Sequence, residues 1–597
     1  MHQPLDWIIA PPAPAEAAEL AAALKTSPLI AQMLLNRGLR DVGECQRFLS
    51  PTLMHLHEPA RLPGLMTAAE RLSRAIRDRE KIVIYGDYDV DGITGTAILW
   101  HAIRILGGQA EYYIPHRLDE GYGLNAEAMA QICDAGAQLI VTVDCGVTAL
   151  EEARIAAERG VDLIITDHHE WHASGPENLG GRPELPVCHA VVHPRLGAAD
   201  PSAAYPNPCL CGAGVAFKLA WGLGQIHNGA TRVSEPFRNF LVEATALAAL
   251  GTIADVVPLT GENRSLAHFG LGGLMQSRLI GIRALIESAG LTGQKLNSYH
   301  VGFLLAPRLN ACGRMGHARE AVELLTRADA AAAARIAGEL EKQNRARQLT
   351  EREIFRQAME QARSLGCDAD ECRGVVLASE GWHPGVIGIV ASRVVNRLNR
   401  PTIMIALANG HGHGSGRSIA GFHLARALDA CRQHLEACGG HEMAAGLRLR
   451  RERLDDFRRA FADYARGAVS DQMLRPALHL DCEAQLGQIT GPLVDQINRM
   501  GPFGTANPRP LLCVRDVEVA AVPRRVGKSG EHLQLVVRQN GSRVRCIAFG
   551  QGALFERLVP GTRVDLAAEA VINEYNGFRN VQLEIRDVRF RGNQAQR

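Results

Sequence analysis

The chain has 597 residues, 46% hydrophobic and 22% charged, with 65 Lys and Arg against 64 Asp and Glu for a net charge of +1. Such a length is too great for one hydrophobic core and predicts about three to five domains. The balanced charge excludes a globally basic nucleic-acid binder, so any surface of that kind is local.

In chain order, the start "MHQPLDWIIAPPAPAEAAEL" lacks a basic stretch followed by an apolar one, and no apolar run is long enough to span a bilayer. A cytoplasmic protein without membrane association is the expectation. The first fifty or so residues carry no motif. Then "KIVIYGD", "GTAILWHAIRILGG", "QLIVTVDCG", "VTALEEARIAAERG" and "DLIITDHH" alternate strand-like and helix-like stretches, which predicts βαβ units and a parallel sheet buried on both faces. Each strand-like run ends at an acidic residue. Carboxyl ends of strands form the ligand crevice in such sheets, so Asp87, Asp89, Asp91, Asp144 and Asp167 are expected to converge there.

Between Pro307 and Pro384 there is no proline, and a stretch rich in Ala, Glu, Gln and Arg predicts a long connecting helix with sparse apolar contacts at Ile336, Leu340, Leu349, Ile354 and Phe355. A second lobe begins at "RGVVLASEGWHPGVIGIVASRVVNRLNRPTIMIA", read as strand, turn, helix and strand. In "GHGHGSGRSIAG", Ser415 and Arg417 are assigned to a glycine-rich turn suited to phosphate, and His411 and His413 to a loop. Beyond about residue 469, "HLQLVVRQ", "RVRCIAFG" and "NVQLEIRDVRF" alternate with period two and "YNGF" predicts a hairpin turn, together a small barrel of the OB type. There, Arg524, Arg525, Lys528, Arg543, Arg545 and Arg579 lie among Phe549, Tyr575 and Phe578, the mixture by which OB folds grip single strands. "GKS" at 527–529 is not a P-loop, because Val522 stands where its first glycine belongs. Fourteen cysteines form no CxxC pair, and reduced thiols are expected.

The stretch "YGDYDVDG" sets three carboxylates at alternate positions, where they repel and call for a counter-charge. An EF-hand is excluded, since the twelfth position from Asp87 is Ile98 rather than Glu. Further acidic clusters are "VTVDCG" (Asp144), "ITDHHE" (Asp167, His168, His169) and "GTIADVVPL" (Asp255). Carboxylates with one or two imidazoles suit Mn²⁺ or Mg²⁺, and a pair of such ions roughly 3.5–4 Å apart activates water against a phosphoester.

This order of motifs resembles the DHH phosphoesterase superfamily, whose Asp-His-His triplet stands here at residues 167–169. The resemblance implies two divalent metal ions, Mn²⁺ or Mg²⁺, one held by Asp89 and Asp144, the other by Asp91, Asp144, His168 and Asp255, with His169 facing the scissile phosphate. Many members carry a His where this chain has Tyr85, so either Asp87 or Tyr85 completes the first site. "GGHEMAAG" is similar to the signature of the DHH-associated domain; its Gly440 and His441, with a helix expected to follow, point to a phosphate. The implied architecture is α/β: a parallel-sheet DHH catalytic domain (51–325) after an N-terminal segment (1–50), a connecting helix (326–366), an α/β DHH-associated domain (367–468) and an OB-fold DNA-binding domain (469–597). Together with "HRLDEGYGL" (Arg117, Tyr122) and "APRLNACGRMG" (Arg308, Asn310, Arg314), this resembles the branch of the superfamily that degrades single-stranded DNA from the 5′ end. It implies 5′-mononucleotide products, service in DNA repair and recombination, including mismatch repair, and as partners single-stranded DNA, a single-strand-binding protein and a helicase. In that branch Arg117, Tyr122, Arg308, Arg314, Ser415 and Arg417 hold the strand or its 5′ end. A small-nucleotide phosphodiesterase would need neither connector nor barrel; a catalytically silent scaffold would not need every acidic motif.

Overall fold

The structure, a computed structural model, describes residues 5–117, 119–171, 173–174, 182–197, 204–369, 371–575 and 577–591. They divide into two compact units, one of residues 58–255 and 270–476, the other of residues 1–57, 256–269 and 477–597.

In the first unit the strands β1 (Ile82–Gly86), β2 (Ala110–Tyr113), β3 (Leu139–Val143), β4 (Asp162–Thr166) and β5 (Ala190–Val192) form one sheet. Their order is β2–β1–β3–β4–β5, every pair parallel. The central strands are buried along their length, as their unbroken apolar sequence requires. Helix α1 (Val90–Ile105) follows β1, and α2 (Gly212–Asn228) and α3 (Glu235–Ala254) pack against it. The strand order reverses between β1 and β3, so the carboxyl ends of those two strands flank the position where open α/β sheets bind ligands. That geometry puts Asp87 beside Asp144: Gly86 pairs with Val143 one residue before each.

Helix α4 (Ala306–Met315) leads toward α5 (Ala330–Ser364), 35 residues and so about 52 Å long. Asp329 caps α5 by accepting from the Ala332 amide, while Ile336, Leu340 and Ile354 are buried. Leu349, another of those sparse apolar positions, is 65% exposed, in keeping with limited burial of the helix.

The second lobe of this unit contains β6 (Val375–Glu380), α6 (Pro384–Leu398), β7 (Thr402–Ala408), β8 (His411–Arg417), β9 (Ala437–Gly440) and β10 (Ala444–Arg450), in sheet order β9–β10–β8–β7–β6. Two expectations are corrected here. The stretch His411–Arg417 is not a turn or loop but strand β8, paired on both sides. Its glycines at 412, 414 and 416 alternate onto a face where a Cβ would meet Ile405, Leu447 and Leu424 at 2.6–2.8 Å, so the glycine content serves close packing. No helix follows "GGHEMAAG": the chain turns at 441–443 and returns as β10, Gly440 lying opposite Ala445.

The second unit is a barrel of β11 (Leu512–Val519), β12 (Arg524–Val526), β13 (His532–Gln539), β14 (Ser542–Ala548), β15 (Arg563–Tyr575) and β16 (Phe578–Phe590). The order β11–β15–β16–β14–β13 closes through β11–β13 pairing at Val519 and Val537, leaving β12 as an appendix to β13. The hairpin predicted at "YNGF" joins β15 to β16 with Tyr575 opposite Phe578; Asn576 lies outside the described residues. The N-terminal helices Pro14–Leu24, Pro28–Asn36 and Val42–Leu49, which no motif marked, share one core with this barrel: Leu20, Met33 and Leu34 join Val494, Leu512 and Leu583.

Arg264 ties the internal segment 256–269 into this unit. It is 2% exposed, donates to the carbonyls of Phe48 (2.9 Å), Gly501 (2.7 Å) and Arg499 (3.3 Å), and lies 3.8 Å from the Phe48 ring centroid. Burial, then the charge of Arg37, brings its pKa down to about 9. Arg264→Ala leaves those carbonyls unpaired around a cavity and is expected to cost about 2–4 kcal/mol in chemical denaturation. Lysine, a point charge without the planar fork, is not expected to rescue it. A loss below ~1 kcal/mol contradicts this role.

Among the described residues no helix is long and apolar enough to cross a membrane, and the cysteines are free thiols.

Candidate metal centre and phosphate-binding cleft

The hydrogen-bond ladder of the parallel sheet runs one residue past each strand and fixes the acidic residues there. The Asp87 amide donates to Val143 (3.1 Å), that of Asp144 to Thr166 (3.0 Å) and that of Asp167 to Val192 (3.2 Å). Asp89 caps α1, accepting from the amides of Asp91 (2.8 Å) and Gly92 (3.2 Å), and so aims Asp91 inward. Asp91 in turn accepts from Gly212 (2.5 Å) and Ala213 (2.8 Å) at the N-terminus of α2, where the helix dipole favours a carboxylate. Asp255 follows the last residue of α3. Asp144 has φ of 66°, and a Cβ at residue 212 would lie 2.6 Å from that of Asp144, so Gly212 is required for the carboxylate to sit there.

Three groups of potential ligand atoms result, each within 4.8 Å: Asp87, Asp89 and Asp144; Asp91, His168 and Asp255; Asp144, His168 and His169. His168 Nε2 is central, 3.0 Å from Asp144 Oδ1, 3.6 Å from Asp255 Oδ2 and 3.7 Å from Asp91 Oδ2. Burial, then mutual repulsion, raises the carboxyls: Asp91 to about 6, Asp255 to about 9, Asp87 and Asp144 well above their usual range. His168 falls to about 3, through burial and then the neighbouring His169 charge. Clustered carboxylates around a neutral imidazole make a donor set for hard divalent cations. The buried Asp87 Oδ1, Asp144 Oδ1 and His168 Nε2 have no hydrogen-bond partner, and Mn²⁺ or Mg²⁺ fits that arrangement.

The residues of the DHH triplet have different surroundings. Asp167 accepts from the amides of Val147 (2.9 Å), His168 (2.7 Å) and His169 (3.1 Å) and from His169 Nδ1 (2.8 Å). Burial opposes its ionisation, yet the His169 hydrogen bond and charge prevail and hold it below the usual carboxylate range. His169, against its own burial, is raised to about 9 by Asp167. The Tyr122 hydroxyl lies 2.8 Å from His169 Nδ1 and donates to the Asp144 carbonyl, so Tyr122 joins the imidazole rather than the arginines below. Tyr85 is buried with its hydroxyl donating to the Gly123 carbonyl, whereas Asp87 lies with Asp89 and Asp144.

Arginines gather nearby. Arg314 donates to the Gly385 carbonyl in the first turn of α6, and a Cβ on Gly388 would lie 2.9 Å from Ser415 Oγ and 3.2 Å from Arg417 Nη2. Burial, then the charges of Arg117, Arg347 and Arg417, lower Arg314 to about 10; burial and Arg117 lower Arg417. Arg117 lies over the Tyr88 ring at 4.8 Å. Guanidiniums that repel one another at a helix N-terminus are an arrangement suited to an anion. The helix involved, α6 from "HPGVIG", was signalled by its Pro at the start but not singled out from the sequence. Asn310 accepts from the Val90 amide and braces the acidic loop. Arg308 is instead held by Glu341 (2.7 Å) and the Leu304 carbonyl. Across the cleft, His441 Nδ1 is 3.1 Å from Glu170.

On the barrel, Phe549 and Phe578 are exposed, whereas Arg579 is paired with Asp495 and Glu574. Arg525 stacks on Phe555 and lies 3.9 Å from Glu556. Arg524, Lys528, Arg543 and Arg545 have no carboxylate partner among the described residues; the Tyr575 side chain lies outside them.

Residues 81–252 match the DHH family N-terminal domain, 373–467 the DHHA1 domain and 480–587 the RecJ OB domain. The "Single-stranded-DNA-specific exonuclease RecJ" of Bacillus subtilis is 38% identical over 97% of this chain and 70% of its own length. The crystal structure of RecJ in complex with Mn²⁺ from Thermus thermophilus superposes with a TM-score of 0.81 at 33% identity, covering 98% of this chain and 80% of that one. The Mg²⁺ complex from the same organism gives 0.76 at 32% identity, over 98% and 79%.

Proposed function

The chain belongs to the RecJ family of single-stranded-DNA-specific exonucleases, and from that premise we propose that it hydrolyses single-stranded DNA from the 5′ end, releasing 5′-mononucleotides, in DNA repair and recombination. The observation that carries this reading is the carboxylate and imidazole cluster at the β1–β3 switch point, with Arg314 of α4 and Arg417 of β8 grouped beside α6 in the same unit. Asp87, Asp89 and Asp144 would hold one divalent ion, and Asp91, Asp144, His168 and Asp255 the other. When bound, such ions lower the pKa of water and offset charge on a phosphodiester.

The chain's own residues supply the rest. Arg314, Arg417 and Ser415 bind the terminal 5′-phosphate as charge-assisted donors beside the N-terminus of α6, whose dipole favours an anion. Arg117 adds charge from the first lobe. His169, held protonated by Asp167 and positioned beside Tyr122, gives its proton to the 3′-oxygen leaving the first nucleotide. A terminal phosphate bound at one side and a scissile phosphate at the other leave room for one nucleotide between, which sets the product. The barrel, with its exposed Phe549 and Phe578, suits a polymer more than a small nucleotide, and the complete acidic set argues against a silent scaffold.

End-labelled oligonucleotides with Mn²⁺ test this. A 5′-labelled strand is expected to give labelled mononucleotide at once, a 3′-labelled strand to shorten progressively, and a blunt duplex to be nearly inert, because melting costs about 1.4 kcal/mol per stacked step. Arg417→Ala is expected to slow the single-strand reaction by about 10-fold or more, the value of one lost charge-assisted contact. Progressive shortening of the 5′-labelled strand, or equal attack on blunt duplex, contradicts the placement of the 5′ end.

A further inference from the structure

The segment ahead of α4 has no part in the cleft just described, yet it displays two large rings to solvent. Tyr299 is 60% exposed and Phe303 67%. Their rings are stacked, with centroids 4.9 Å apart and planes inclined by 25°. Tyr299 immediately precedes, and Phe303 lies within, a π-helical turn, His300–Leu305, which continues without a break into α4. Such turns are rare and concentrate at functional sites.

The turn is firmly held, so the rings do not owe their exposure to a loose segment. Val301 and Leu305 are buried beneath it. Asn297 and His300 exchange hydrogen bonds at its start, the Asn297 amide donating to His300 Nδ1 and the His300 amide to Asn297 Oδ1. Arg308 donates to the Leu304 carbonyl at its end. Single exposed apolar residues are ordinary on protein surfaces, but a fixed pair of parallel rings presents a π face.

Position along the helix says what that face meets. Phe303 and Asn310 are seven residues apart, about two turns, and Arg314 is one turn further, so all three share one side of the helix. Asn310 holds the acidic loop at Val90, and Arg314 belongs to the arginine group. At 1.5 Å per residue the rings lie roughly 16–22 Å from Arg314 along the axis. A stacked strand rises about 3.4 Å per nucleotide, so this distance corresponds to about five to seven nucleotides. A strand lying along that side of the helix would bring its bases to the rings. Every base has a π face, and a ring pair accepts any of them without reading sequence.

We propose that Tyr299 and Phe303 form a stacking platform for single-strand bases about five to seven nucleotides from the arginine group, a contact that rests on the nuclease reading above. The platform holds the strand behind the cleaved nucleotide and favours substrates long enough to reach it.

The test uses the full chain with Mn²⁺ and measures kcat/KM on a 5′-phosphorylated strand of about 20 nucleotides, longer than one OB fold covers, and on a dinucleotide. The double variant Tyr299→Ala/Phe303→Ala is expected to lose about 10–100-fold on the long strand and less than ~2-fold on the dinucleotide, while Phe303→Trp keeps the long-strand rate. Strands with abasic residues at about the fifth to seventh positions carry the second readout. The wild-type chain is expected to lose on these strands what the double variant loses on intact ones, and the double variant to lose nothing further. Equal losses on both lengths, additive losses from variant and abasic strand, or a changed oligomeric state with unchanged rates overturns the platform alone. A wild-type chain inert on every strand overturns the nuclease reading and the platform with it.

Discussion

Asp144→Asn is expected to lower single-strand hydrolysis by at least ~10³-fold while leaving the thermal transition in place. Asp144, like His168, is shared between two of the candidate ligand groups: it lies with Asp87 and Asp89, and its Oδ1 is 3.0 Å from His168 Nε2. Losing its charge therefore weakens both, and water activation and charge stabilisation fall together. Asparagine is the informative substitution because the backbone there has φ of 66°, which Asn tolerates and where Ala costs about 1–2 kcal/mol. Electron paramagnetic resonance of added Mn²⁺ is expected to fall from two bound ions per chain to one or fewer. A folded Asp144→Asn chain that cleaves at a near-normal rate, or still binds two Mn²⁺, rules out the shared ligand.

His169→Ala is expected to reduce hydrolysis of DNA by about 10²–10⁴-fold, the usual worth of a positioned general acid. Its imidazole is anchored by Asp167, itself held by three backbone amides, so the ring has one orientation and stays protonated at neutral pH. Removing it leaves the other triplet side chains in place, since Asp167 keeps its amides and His168 its contacts with Asp91, Asp144 and Asp255. The distinguishing measurement uses a nucleotide 4-nitrophenyl phosphodiester, whose leaving group departs without a proton. On that substrate the loss is expected to shrink to less than ~10-fold, as Brønsted behaviour requires. An equal loss on both substrates assigns His169 to binding or structure.

The alternation of apolar runs and helices from Lys81 to His169 is a local pattern, and a parallel sheet follows because each run lacks a polar face. Acidic residues at the ends of those runs then gather at one edge by topology alone, and the period-two alternation of the last hundred residues closes as a barrel for similar reasons. These features depend on neighbours in sequence, so the fold class and the acidic residues of the candidate site are legible there.

Residues with the same local signal took different places, set by partners far away in sequence. Asp144 and Asp167 both end strands, but four hydrogen-bond donors converge on Asp167, whereas Asp144 Oδ1 faces His168 without a hydrogen bond. Arg308 and Arg314 are six residues apart on α4, and Glu341 of α5 neutralises the first and leaves the second among other arginines. Leu349 has the composition of a core residue and stays in solvent. The segment 256–269, with nothing in its composition to mark it, joins the barrel through the carbonyls that Arg264 gathers. The physical reason is common to all four: charge, burial and hydrogen-bond satisfaction depend on groups distant in sequence, which local periodicity and propensity do not encode.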